Sequence, residues 1–454
     1  MPDSHDSTSA PSDTAAASPA HVDARTDQVA HGLLADDVDR RGFLSCMAWA
    51  GTGMLWTVSG GIPSSVPLEA LGTAPRTFAF VQISDSHIGF SKAANADVTA
   101  TMRSAIAKID ALAARPEFLL HTGDITQLAK PSEFDTADQV LRESRTKDVF
   151  FVPGEHDVAT DHGTAYLERY GRRATSARTG GAWYSFDHGG VHFIGLVNVM
   201  DLKAGGLGAL GGPQLAWLAN DVKGLAASTP IVVFAHVPLW SVYPEWGWGT
   251  DDGARALALL RRFGSVTVLN GHIHQTMQKV EGNVAFHTAL STAFPQPRPG
   301  TAPAPGPLVV PAGRLGDVLG ITRVNYLPHH AHLALVDQTL SGASPEPALA
   351  SGEAAARAAQ ATSGRDSAHA LGAGSIGIDN FAFGPKRLSI AAGQPITWIN
   401  HDDVPHRIQS ANDRFPPSPV LDTKGSYTLT LARPGTYPYF CSLHPTMTGE
   451  LVVG

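Results

Sequence analysis

Nine acidic and histidine side chains stand in five short motifs along the chain: Asp85-Ser86-His87, Gly123-Asp124, Gly154-Glu155-His156-Asp157, His236, and Gly271-His272-Ile273-His274. Carboxylate oxygens and imidazole nitrogens in that number suit a pair of divalent ions sharing one carboxylate, about 3.5–4 Å apart. Any one of these motifs arises by chance; five in order, each just after an apolar run, do not. A second set lies near the C-terminus. His406 follows Val404-Pro405, and further on comes Cys441-Ser442-Leu443-His444-Pro445-Thr446-Met447. One thiolate, two imidazoles and a thioether make the soft His₂Cys set with a weak axial Met that suits a type 1 copper ion. The C-x₂-H-x₂-M spacing places three of these four on one loop.

The elements that must position these residues follow from the apolar pattern. Strands are predicted at 77–83, 118–121, 149–152, 191–197, 231–236, 266–270 and 284–287. Between the first two, Val98, Met102, Ile106, Ile109 and Leu112 recur at helical spacing and give one apolar face. Short, nearly all-apolar strands alternating with helices imply buried sheets covered by helices. In such folds the loops at strand ends converge, which lets dispersed residues meet in one site. Residues 295–311 hold seven prolines in seventeen positions and are expected to form an irregular loop. Residues 341–375 contain 23 Ala, Gly or Ser in 35, the composition of a linker. From Gly377 onward, strands at 388–390, 395–399, 426–431 and 437–440 broken by Gly and Pro predict a small all-β sandwich. The fold class is therefore α/β followed by all-β. The expected divisions are an unstructured extension over 1–38, an export segment over 39–74, a first domain over 75–340, a linker over 341–376 and a second domain over 377–454.

The five motifs resemble those of the calcineurin-like metallophosphoesterases, D-x-H, G-D, G-N-H-[DE], H and G-H-x-H, and the likeness covers residues 77–340. It implies a four-layer αββα sandwich and a metal-assisted phosphoester hydrolase working on a small-molecule substrate, with two divalent ions, Mn, Fe or Zn. It further implies that one ion takes Asp85, His87, Asp124 and His274, and the other Asp124, the residue at 155, His236 and His272. His156 would stand beside the substrate to stabilise or protonate the leaving oxygen, with Asp157 orienting it. Two departures stand out. The Asn of the family pattern is Glu155 here, which adds a negative charge. The Tyr that the purple acid phosphatase branch carries three residues after its Gly-Asp carboxylate is Gln127, which argues against that branch. The exported and cyclic-nucleotide-type phosphodiesterases are the branches most alike.

The C-terminal segment resembles the plastocyanin, amicyanin and pseudoazurin group of cupredoxins over residues 377–454. Phe383-Gly384-Pro385, Gly393, Trp398-Ile399-Asn400 and the run Pro434 to Phe440 carry the likeness beside the four ligands His406, Cys441, His444 and Met447. It implies one type 1 copper ion, electron transfer, and a redox partner protein. Asn400 is expected to support the ligand loops. His121 and His192, inside strands, are expected in the core, and the aromatic cluster Trp240, Tyr243, Trp246 and Trp248 to pack under a loop rather than wall a cleft.

Composition bounds the rest. The chain has 454 residues, 33 Lys and Arg against 41 Asp and Glu, and a formal net charge of −8. That acidic balance argues against nucleic-acid binding, which needs basic residues to neutralise phosphates. Asp39-Arg40-Arg41-Gly42-Phe43-Leu44-Ser45 and the uncharged run that follows resemble a twin-arginine export signal, which implies a periplasmic or secreted protein. Removal up to about Ala74 would take away nine acidic and three basic residues and leave a net charge of −2. Nothing later reaches the roughly eighteen apolar residues of a membrane span. Of the two cysteines, Cys46 falls in the export segment, so Cys441 is expected alone in the mature chain. Two functions from different classes fit: an exported dinuclear phosphoesterase, acting chiefly on phosphodiesters, with a tethered blue-copper domain, or a copper-binding electron-transfer protein whose phosphoesterase fold is inactive or a scaffold.

Overall fold

The computed structural model describes residues 54–59, 62–67, 77–171, 178–179, 182–311, 313–327, 332–343 and 374–454. The expected extension, Arg40-Arg41 and Cys46 lie outside the described residues. Within the expected export segment, strands Met54–Ser59 and Ile62–Pro67 pair antiparallel.

Two sheets stack at the centre of the first domain. One has five strands in the order His332–Thr339, Gly320–Leu327, Phe78–Ile83, Leu119–His121, Val149–Phe151. The other has seven, running Gln278–Glu281, Val284–Thr288, Val266–Asn270, Ile231–Phe234, Val191–Gly195, Tyr184–His188, Arg178–Thr179. Phe80, Phe118 and Leu120 of the first face Phe186, Phe193, Val232 and Phe234 of the second in one buried cluster. The outer face of the first sheet is covered by helices Val98–Asp110 and Pro131–Glu143. Gly211–Val222 and Gly253–Leu260 cover that of the second. These are the four layers, helix–sheet–sheet–helix, and strands buried on both faces explain the near-continuous apolar runs.

The helix Val98–Asp110 buries Val98, Met102, Ile106 and Ile109, the face read from the sequence, and Asp97 caps it by accepting from Ala100 N at 2.9 Å. Leu112 lies beyond its end. Strands missed by the sequence reading include Gly320–Leu327 and His332–Thr339, which pair antiparallel at one edge, and Tyr184–His188, which forms a hairpin with the expected strand Val191–Gly195.

The register explains how the motifs meet. Ile83 pairs with His121 and His121 with Phe151 in parallel, so the loops carrying Asp85, Asp124 and Glu155 leave the sheet side by side. In the second sheet, Leu269 and Gly195 both pair with Phe234, which brings His236 beside Gly271-His272-Ile273-His274.

The second domain is a sandwich of two four-stranded sheets. One runs Ala382–Gly384, Ser375–Asp379, Pro395–Asn400, Ser426–Thr430, and the other Arg387–Ile390, Thr448–Val453, Gly435–Cys441, Ile408–Ser410. The strand Ser375–Asp379 begins inside the expected linker, which corrects its end. Ile376 and Ile378 are both buried in the sandwich core, an alternation masked by the Gly- and Ala-rich residues before it.

Candidate metal centres

Each loop of the first site bends sharply just after its strand. Asp85, His87, Asp124, His272 and His274 all have positive φ, between 42° and 70°. Five non-glycine residues in the left-handed region are costly, and such strain persists only where the surroundings fix it. The fixing is visible. Asp85 N donates to Gly123 O at 3.0 Å, His87 N to Asp124 O at 2.9 Å, and Gly271 N to His236 O at 3.0 Å. Across the two sheets, His272 N donates to Asp85 Oδ1 at 3.0 Å. Gly154 is required by close approach, because a Cβ there would strike the Asp124 carboxylate.

The side chains fall into two groups that share Asp124. Asp85, His87 and His274 present their ligand atoms together on one side, and Glu155, His236 and His272 on the other. Asp124 Oδ2 lies 3.6 Å from His87 Nε2 and 3.3 Å from His236 Nε2, between the groups, while Oδ1 accepts from His156 N at 3.0 Å. Glu155 turns inward: Oε1 is 3.0 Å from His272 Nδ1 and Oε2 3.1 Å from His236 Nε2.

The donor chemistry fits metal ions. The Nδ1–H groups of His236 and His274 donate to the carbonyls of Thr122 at 2.7 Å and Phe294 at 2.6 Å, and that of His87 to Gln127 Oε1 at 2.9 Å. Each ring therefore presents a bare Nε2 lone pair inward, the arrangement that orients metal-binding histidines. His87 Nε2 and His274 Nε2 stand 3.2 Å apart, two lone pairs that repel unless a cation lies near both. His236 Nε2 and Glu155 Oε2 are buried without a hydrogen-bond partner. An orphaned buried carboxylate oxygen is costly, and a cation removes the cost.

His156 stands beside the first group, with a ring nitrogen close to the ligand atoms of His87 and Asp124. Its Nδ1–H donates to Gln127 O at 2.8 Å, which frees Nε2. Burial alone would push its pKa down, but the carboxylates of Asp124 and Glu155 outweigh burial and push it up. The expectation for Asp157 is corrected. It does not hydrogen-bond His156; it accepts from Ile125 N at 3.1 Å, Thr126 N at 2.8 Å, Thr126 Oγ1 at 2.9 Å and Gly154 N at 3.0 Å. Asp157 thus braces the loop of Asp124. The residue that orients His156 is Gln127, which also holds His87. The sequence reading met Gln127 only as a missing tyrosine; its place three residues after Asp124 was the available signal.

His192 lies in the core as expected, paired with Asp187 at 2.6 Å and Asp221 at 2.9 Å, and His121 accepts or donates a 2.8 Å bond with Ser86 Oγ behind Asp85. The aromatic expectation holds for Trp240, which packs on Phe286 with ring centres 4.8 Å apart. It fails for Trp246 and Trp248, which line the cavity over the site with Phe294 and Gln296.

The second centre gathers Cys441, His406 and His444. Cys441 Sγ lies 3.5 Å from His406 Nδ1 and 3.6 Å from His444 Nδ1, and the two nitrogens are 3.3 Å apart. A point between three such corners is about 2 Å from each, an ordinary metal–ligand distance. Burial pushes the Cys441 thiol up, but His406 beside it outweighs burial and holds it below the usual thiol value. That favours the thiolate, the form that binds metal. Met447 is buried in the same core, on a turn closed by Met447 N to His444 O at 2.9 Å and Cys441 N to Met447 O at 3.0 Å. Asn400 Nδ2 donates to Val404 O and Leu421 O, both at 2.9 Å, so it does support the ligand loops. Asp402, which sequence reasoning missed, accepts from His406 Nε2 at 2.8 Å.

Comparison with known proteins agrees with this division. A calcineurin-like phosphoesterase family model matches residues 78–276 and a cupredoxin-like domain model residues 353–453. Amicyanin-alpha of Methylorubrum extorquens is 30% identical over 18% of this chain and 72% of its own length. The C-terminal part belongs to the cupredoxins, and residues 78–276 match a calcineurin-like phosphoesterase domain. Plastocyanin of Solanum crispum is 31% identical to the cupredoxin part, over 17% of this chain and 95% of its own length. The phosphoesterase part is similar to glycerophosphodiester phosphodiesterase GpdQ of Enterobacter lignolyticus. The identity is 28% over 39% of this chain, which spans 63% of that relative's length. The phosphoesterase domain implies divalent metals and the cupredoxin copper. Among the described residues, no helix is long and apolar enough to cross a membrane.

Proposed function

We propose that the chain is an exported dinuclear-metal phosphoesterase, acting first on phosphodiesters, with a blue-copper domain that exchanges electrons with a redox partner. The observation that carries the hydrolytic reading is the position of Asp124 Oδ2 between two groups of inward-facing ligand atoms, with buried partners left unsatisfied. Asp85, His87 and His274 hold one ion, Glu155, His236 and His272 the other, and Asp124 both. Bound there, the pair supplies an activated water and neutralises charge that develops on phosphorus oxygens. His156, its ring fixed by Gln127, turns a free Nε2 toward the cavity and donates a proton or hydrogen bond to the leaving oxygen. Trp246, Trp248 and Phe294 exclude water around the ester. Preference for diesters is supported by the similarity to the glycerophosphodiester phosphodiesterase. His406, Cys441, His444 and Met447 hold copper, with Asp402 fixing the His406 ring.

Export is supported by Arg40-Arg41. In the native host, R40K/R41K should keep the protein in the cytoplasm; unchanged export removes that part of the reading. The hydrolytic part is tested with full-length protein refilled with Mn²⁺ and a bis-aryl phosphate. Turnover that falls in His156→Ala while bound metal is retained supports it. No hydrolysis by the metal-replete protein overturns it.

A further inference from the structure

The two candidate centres are not separate. The cavity above the dinuclear ligands, about 30 Å³, is lined by His87, Asp124, His156 and His272 and also by Phe381 and His444 of the cupredoxin domain. The His444 ring, whose Nδ1 faces Cys441, has its centre 6.3 Å from that of His156. Phe381 packs edge-on against it at 4.7 Å. The domains are tied beside this contact: Gly205 N donates to Pro445 O at 2.6 Å, and Lys92 Nζ lies 3.7 Å from Asp422 Oδ1. Ala159, just past the Glu155–Val158 helix, is buried with the cupredoxin core. The proline-rich loop closes the other side, where Pro305 lines the same cavity and Gly306 comes close to the Phe381 ring.

We propose that the copper face of the cupredoxin domain is the roof of the hydrolytic cavity, with His444 a wall common to both centres. An anion held over the dinuclear ligands then lies against a copper ligand, and the two sites sense each other's charge. This rests on the dinuclear reading above. The roof leaves room over the ligands for a small anionic group and none for a continuous polymer. Copper carries one more positive charge when oxidised. Across a buried wall poor in water that charge attracts a phosphate dianion, so the oxidised protein binds the anion more tightly. By linkage, the anion must lower the copper reduction potential by the same factor.

The test uses full-length protein with copper in its own site, zinc in the dinuclear site, and inorganic phosphate as probe. The copper potential is read from its visible band, with chloride at matched ionic strength as control. We expect at least threefold tighter phosphate binding to the oxidised form, which is a fall of about 28 mV at saturation. Phosphate that inhibits hydrolysis yet leaves the potential unmoved overturns the common wall and leaves the hydrolytic reading standing. If the protein neither hydrolyses esters nor binds two zinc ions, the hydrolytic reading has failed and this inference with it.

Discussion

The two metal centres of this chain are assembled in opposite ways. The dinuclear candidates come from five loops spread between Asp85 and His274, and five of them sit on left-handed backbone. The copper candidates come from one tight turn, Cys441 to Met447, plus His406, and none of the four has a positive φ. A dispersed site needs two sheets in register before all its ligands meet, so it is strained and braced by groups such as Asp157 and Gln127. The compact site needs only a hairpin end and one neighbouring loop. The first should therefore be sensitive to substitutions far from the ion, and the second to few besides its ligands.

The largest effect should come from Asp124, which faces both ligand groups. Asp124→Ala should lower ester turnover by about a thousandfold or more, with divalent-metal content falling, as expected when a central electrostatic group is lost. The visible copper band should stay, which separates the two centres. His156→Ala should cost about a hundredfold in turnover with both divalent ions retained. A variant that loses metal instead would place His156 among the ligands. For braces that touch no ion, Gln127→Ala should weaken metal binding in the dinuclear centre by about tenfold, and Asp402→Asn should weaken copper binding by less. Metal titration of the two variants compares the centres directly; a much larger loss for Asp402→Asn would contradict the contrast drawn above. The smallest effect should be Lys92→Ala, which removes a half-exposed pair with Asp422. The pair is worth no more than about 1 kcal/mol, and thermal melting should barely move.

The same contrast explains what the sequence revealed. The Cys441-to-Met447 spacing names its chemistry without a fold, because the ligands are local. The dispersed motifs were legible as types and order, since each follows an apolar strand, and the helical face over 98–110 was legible from its period. What was missed depends on chain reversal and long-range contact. Gly320–Leu327 joins the first sheet only through antiparallel pairing with Phe78–Ile83, some 240 residues earlier. The hydrogen bonds of Asp157 are set by the close approach of two loops, so adjacency to His156 was misleading. Trp246 and Trp248 lie on a loop whose side toward the cavity no period encodes. The contact between His444 and the hydrolytic cavity belongs to domain docking, which neither domain's motifs carry.

Metal analysis of full-length protein from its native host, taken with its visible spectrum, bears most directly on the central claim. The account predicts two divalent ions and one copper per chain, with the intense thiolate–copper band lost in Cys441→Ser and both divalent ions retained. A single divalent ion per chain, or copper bound with that band unchanged in Cys441→Ser, would contradict it.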